Sequence, residues 1–194
     1  MIDSPEALEL LASVFDRFGI EYMVGGSVAS SITGLWRATQ DIDIVARVRL
    51  DQTKLLERAL IPDFYADSEA MRDAIVRGRA FNLIHFASSQ KFDVFPILDN
   101  PYYEVEFSRR IITELRLPDG RVLKIPAATP EDIILAKLVW YRDGGCVSER
   151  QLGDIRGVLS VQTGRLDLDY LRKWAAHLGC ADLLQMVFGP LDSI

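Results

Sequence analysis

Three aspartates and a pair of glycines are the residues of this chain whose types and spacing can do chemistry. Asp41 and Asp43 lie in Thr39-Gln40-Asp41-Ile42-Asp43-Ile44-Val45, which reads as a strand. Alternate side chains of a strand share a face, so both carboxylates project together while Ile42 and Ile44 point into a core. Upstream, the apolar run Tyr22-Met23-Val24 stops at Gly25-Gly26-Ser27, where small residues let the backbone approach a ligand closely. Val28 to Thr33 reads as a short helix whose N-terminal amides face the same place, and such amides favour an anion. Two carboxylates beside an anion cradle make a site suited to a hard divalent cation. A third acid, Asp93, sits in Phe92-Asp93-Val94-Phe95, on the face opposite Phe92 and Val94. An acid within so apolar a strand is costly to bury unless paired or metal-bound, and Lys91 or an arginine is the partner in the purely structural reading.

Other elements must position these groups. Ser4-Pro5-Glu6 starts a helix carrying Leu8, Leu11, Phe15 and Phe18 on one side, and Gly19 ends it before a strand from Ile20 to Val24. Asp51 is expected to cap a helix to about Leu60, with Leu55, Leu56 and Ala59 inward, broken by Pro62. Between Asp63 and Gly78, Ala70 to Val76 fits helix or strand. Asn82–Phe86 and Lys91–Phe95 read as paired strands joined by a polar turn. Val105, Phe107, Ile111 and Leu115 read as extended segments, and Pro118-Asp119-Gly120 turns into Val122–Ile125 as a hairpin. After Pro126 the pattern becomes helical. Thr129-Pro130-Glu131-Asp132 starts an apolar helix, and Ser148 with Gln151 forms a capping box for a second. A third helix is expected from about Leu168 to Leu178, and a short fourth from Leu183 to Phe188. The pattern predicts an α+β fold: a mixed twisted sheet flanked by helices, then a C-terminal helical bundle. The expected division is an α/β catalytic domain over 1–126 and a helical domain over 127–194.

The 194 residues are 49% hydrophobic and 26% charged, an ordinary globular composition. A formal charge of −6 argues against binding nucleic acid by bulk electrostatics. The basic groups Arg72, Arg77 and Arg79, and Arg109 with Arg110, read as solvated faces on a mixed surface. No apolar run is long enough to suggest a membrane span, and the acidic N-terminus lacks a signal pattern. Cys146 and Cys180 have no metal or redox spacing, which fits free thiols in a reducing cytoplasm. His85 and His177, the two histidines, read as structural or exposed.

Taken together, these residues resemble the DNA polymerase β-like nucleotidyltransferase superfamily. Its signature is a Gly-Gly or Gly-Ser turn, a strand bearing Asp-x-Asp, and a third carboxylate on a later strand; here Gly25-Gly26-Ser27, Asp41-Ile42-Asp43 and Asp93. The run Gly-Gly-Ser … Gly34-x-x-Arg37-x-Thr39-x-Asp41-Ile42-Asp43 is most similar to small bacterial nucleotidyltransferases that include abortive-infection type toxins. The Thr129–Asp132 helix start with Lys137, and Ser148 to Asp154, are similar to that group's helical half. The resemblance implies transfer of a nucleoside monophosphate from a nucleoside triphosphate (NTP) to an acceptor hydroxyl, with release of pyrophosphate. It implies two Mg²⁺ ions, or Mn²⁺, about 4 Å apart. Asp41 and Asp43 would bridge them, and Asp93 would complete the ion that activates the acceptor and take its proton. Gly25, Gly26 and Ser27 would hold phosphates, with Arg37, Thr39 and Lys137 reaching phosphate or the site's carboxylates. The implied acceptor is tRNA or another RNA, a protein side chain, or a small hydroxylated molecule such as an aminoglycoside. The toxin likeness adds a possible antitoxin protein as partner.

Blander accounts stand beside several of these assignments. Thr39 can simply start the strand, and Arg37 can pair with a surface acid. Lys137, mid-helix among apolar neighbours, can snorkel to water. Asp154 lies four residues after Arg150, at the spacing of a helical ion pair. Two rival functions also fit the scaffold: a non-catalytic nucleotide-binding or toxin–antitoxin interaction module, and a metal-dependent phosphohydrolase, which the scarcity of histidine disfavours.

Overall fold

Period-two patterning in two central strands fixes the frame: Ile42 and Ile44 are buried on one face, as are Phe92 and Val94, and aspartates alternate with them. The computed structural model describes residues 5–26, 41–116 and 119–189. Its strands are β1 (Tyr22–Val24), β2 (Asp41–Ala46), β3 (Phe64–Tyr65), β4 (Phe81–His85), β5 (Lys91–Pro96), β6 (Ile111–Arg116) and β7 (Val122–Ala127). They form one mixed sheet in the order β3-β4-β5-β2-β1-β7-β6. β2 runs parallel to β5 and antiparallel to β1, while β4–β5 and β6–β7 are antiparallel pairs. The fold is α+β, as the sequence pattern predicts.

Eight helices are described: α1 (Pro5–Arg17), α2 (Thr53–Leu60), α3 (Ser68–Arg77), α4 (Pro101–Ser108), α5 (Pro130–Asp143), α6 (Glu149–Gln162), α7 (Leu168–His177) and α8 (Ala181–Phe188). α1, α2 and α3 cover one face of the sheet, where Leu8, Phe15, Leu56, Leu60 and Met71 meet Ile42, Ile44, Phe92 and Val94. A second core gathers Tyr102 and Phe107 of α4 with Ile134, Leu138, Ile155, Leu171 and Trp174 of the later helices. Met23 belongs to it and Val45, its neighbour across the β1–β2 ladder, packs against it, so this is the face shared with Asp41 and Asp43. β7 runs past Pro126, and Ala127 pairs with Val24 in β1. No helix among the described residues is long and apolar enough to cross a membrane.

Four local expectations are corrected. Asp51 does not cap α2; its carboxylate accepts from Arg49 instead, and the helix begins at Thr53 behind Gln52, which makes no side-chain cap. That start turns Leu56 and Leu60 inward and leaves Leu55 52% exposed. Val105 and Phe107 are not extended but lie in α4, where the Asn100 side chain accepts from the Tyr102 amide and Pro101 opens the first turn. Ser148 precedes α6 without a side-chain cap, so the capping box with Gln151 does not form; among the described residues the buried Gln151 Oε1 atom has no partner. The ambiguous 63–78 segment resolves into β3 and α3, with Asp67 capping the helix start through the Glu69 and Ala70 amides and Gly78 closing it in a left-handed conformation.

Candidate active site

The β2–β5 register sets the centre of the site. Asp43 stands directly opposite Asp93, and Asp41 opposite Lys91, on adjacent parallel strands. All four side chains are therefore on the face away from the first core. Lys91 Nζ donates to both carboxylate oxygens of Asp93, at 2.8 and 2.9 Å. Asp93, with Asp41 and Asp43 behind it, holds the Lys91 ammonium's pKa above its usual value. The pairing of Asp93 with Lys91 is thus present together with its place beside the other two acids.

The glycine turn is locked to the same strand. The Gly25 amide donates to the Asp43 carbonyl at 2.9 Å. Gly26 has φ +54°, and a Cβ added there would lie 1.6 Å from Asp43 Oδ2. Its missing side chain therefore leaves room for a carboxylate of this chain. Ser27, Arg37, Thr39, Trp36 and the Val28–Thr33 segment lie outside the described residues.

α5 and α6 supply the opposite wall. Lys137 does not snorkel: it is 1% exposed, and its Nζ donates to Asp154 Oδ2 at 2.8 Å. Burial lowers its pKa, with Asp154 and, more weakly, Asp43 acting the other way. Asp154 thus has Lys137 as an ion-pair partner across two helices. The ammonium also lies 5.2 Å from the centre of the Trp140 ring. Asp41, Asp43, Asp93, Phe95, Lys137, Trp140, Arg150 and Gln151 together line an open polar pocket.

Whether these donors suit a divalent ion depends on how the ion arrives. Among the described residues no group of three His, Cys, Asp or Glu side chains is arranged to hold a metal. Magnesium, however, commonly uses one or two carboxylates, several waters and the substrate's own phosphates. Asp41 and Asp43 would suit an ion of that kind, its remaining positions filled by water and phosphate.

Asp43, Phe95 and Trp140 are shared with a second, mostly apolar cavity that opens to solvent. Two acids that the sequence did not single out as site residues line it. Asp132 is fully buried and accepts from the hydroxyls of Thr129 (2.7 Å), Tyr170 (2.5 Å) and Tyr102 (3.4 Å). Glu106 is 6% exposed, and among the described residues its carboxyl has no hydrogen-bond or ion-pair partner. Burial, reinforced by Asp132, raises its pKa to about 8. The Asn100-Pro101 helix start was the signal that would have placed Glu106 on a helix facing inward.

The remaining polar groups of note are occupied elsewhere. Arg109 reaches Glu131, stacks on Tyr170 and sets its Nε 3.5 Å from Asp132, while Arg110 pairs with Glu21 and Arg77 with Asp73. His85 is buried against Phe64 and bonded to Ser88, and both cysteines are free.

Comparison with solved structures decides the architecture. ANT(2″)-Ia, an antibiotic-resistance factor, superposes with a TM-score of 0.54 at 15% identity, covering 95% of this chain and 97% of that one. The chain has the nucleotidyltransferase fold. An antigenic nucleotidyltransferase-like protein from Paracoccidioides brasiliensis is similar at a TM-score of 0.53 and 19% identity, over 96% of each chain. ANT(2″)-Ia in complex with adenylyl-2″-tobramycin gives 0.53 at 14% identity, over 90% of this chain and 95% of that one. No protein-family model matches the sequence, and no curated protein matches it. The nucleotidyltransferase fold thus holds the acid-bearing strands β2 and β5 side by side and sets α5 and α6 across from them.

Proposed function

We propose that this protein transfers a nucleoside monophosphate from an NTP to an acceptor hydroxyl. The observation that carries the reading is the side-by-side placement of Asp43 and Asp93, with Asp41 on the same face, in a pocket beside a glycine turn. The acceptor oxygen attacks the α-phosphorus, the bond to the bridging oxygen breaks, and pyrophosphate leaves. A magnesium or manganese ion held at Asp41 and Asp43 would neutralise charge on the phosphates and leaving group. Through that ion Asp41 and Asp43 would orient the triphosphate from one strand. Asp93 takes the acceptor's proton, and Lys91 aims its carboxylate. Lys137 adds a positive charge to the far wall, and Gly26 keeps the Asp43 carboxylate in place. Positioning and charge stabilisation of this sort supply most of the catalysis in phosphoryl transfer.

The fold shared with ANT(2″)-Ia, a protein solved with an adenylylated tobramycin, supports a small hydroxylated acceptor. The toxin-like run from Gly25 to Asp43 keeps RNA or protein as the competing acceptor. The test incubates the protein with each α-labelled NTP, Mg²⁺ and separate RNA, protein and small-molecule fractions of a cell extract. Label should pass to one fraction, and Asp41→Asn or Asp43→Asn should cut transfer by about 10³-fold without lowering the melting temperature. Undiminished transfer by both variants would rule the proposal out.

A further inference from the structure

We infer that the apolar cavity beside Asp43 seats a small organic cation, an amine on an apolar body that also carries the hydroxyl to be modified. Calling this ligand the acceptor rests on the transferase reading; the cation-binding cavity itself does not. Its walls include Val45, Phe95, Ile97, Val139 and Trp140, and among the described residues its charged lining is Asp43, Glu106 and Asp132, with no Lys, Arg or His. No described base lines the cavity to pair with a phosphate, so neither a triphosphate tail nor an RNA backbone finds a partner there.

The acids differ in what they lack. Asp132 is satisfied by three hydroxyls and by Arg109, whose Nε lies 3.5 Å from its Oδ2. Glu106 is more than nine-tenths buried, lines the cavity, and has no partner among the described residues. A carboxyl so placed is expensive to bury, and an ammonium within hydrogen-bond reach supplies both the donor and the countercharge. The rings of Tyr102, Tyr103 and Trp140 line the same space and add faces that attract a cation. Because Asp43 borders both spaces, a ligand held at Glu106 lies beside the polar pocket, with its hydroxyl able to extend toward Asp93.

The test uses three probes with one body and different charges: 4-phenylbutylamine, 4-phenyl-1-butanol and 4-phenylbutyrate. Each is titrated into the full chain by calorimetry without nucleotide or metal. The amine should bind at least about tenfold more tightly than the alcohol, and the carboxylate most weakly. Glu106→Gln should remove the amine's advantage and leave alcohol binding within about threefold. Ala136→Phe, which fills the cavity from α5, should abolish binding of all three with the melting temperature retained. Equal affinities, a preference for the carboxylate, no binding of any probe, or an amine preference that survives Glu106→Gln would overturn the inference. So would displacement of the amine by AMP, which would make the cavity a nucleobase seat. Since no nucleotide is needed, amine selectivity without label transfer would sink the transferase reading alone. Transfer without amine selectivity would sink this inference alone.

Discussion

Asp93 and Glu106 are acids on the walls of two adjoining spaces, and they are held in opposite ways. Asp93 projects from a strand into an open pocket and has Lys91 on both its oxygens. Glu106 projects from a helix into an apolar cavity and, among the described residues, is bonded to nothing. The polar pocket is thus built from paired charges held in register, and the cavity from a carboxyl awaiting a partner. Paired charges keep their geometry with nothing bound, whereas an unpartnered buried acid selects what enters.

If that contrast is right, removing a partner on the polar side should be destabilising. The largest effect is expected at Lys137→Met, which takes a buried ammonium from Asp154; it should cost about 3 kcal/mol by urea denaturation. Adding Asp154→Leu should recover part of that loss, because two apolar groups replace a broken pair. A double variant as unstable as the summed singles would mean that the two groups do not act as a pair. A smaller effect is expected at Gly26→Ala. The positive φ and the overlap with Asp43 predict a loss of about 1–3 kcal/mol, with the Asp43 carboxylate displaced and label transfer falling further than stability does. Unchanged stability and transfer would show that the turn has room to spare.

The polar side was legible in the sequence because strands write their faces with a period of two. Asp41, Asp43 and Asp93 could be assigned to one side of β2 and β5 from spacing alone, and Lys91, two residues away, could be named beside an arginine as a partner for Asp93. The sequence could not provide the register that sets Asp43 against Asp93, which is a tertiary fact. Glu106 was hidden by a wrong period: Val105 and Phe107, two apart, mimic a strand, and Asn100-Pro101 is the cap that contradicts them. Lys137 was noticed for its apolar setting. Its true partner, Asp154, is 17 residues away on the next helix, beyond any local pattern. The Ser148–Gln151 spacing matched a capping box, yet Gln151 borders the pocket instead. Local spacing was informative where side chains answer to their own strand, and silent where helices bring distant groups together.

The central claim is that Asp43 and Asp93 act on one reaction from adjacent strands. It is tested most directly by measuring label transfer from an α-labelled NTP for Asp43→Asn, Asp93→Asn and the double variant. Groups that work as a unit fail as a unit, so each single change should cost about 10³-fold and the double little more. Near wild-type transfer by Asp93→Asn, or losses that multiply in the double variant, would contradict the account.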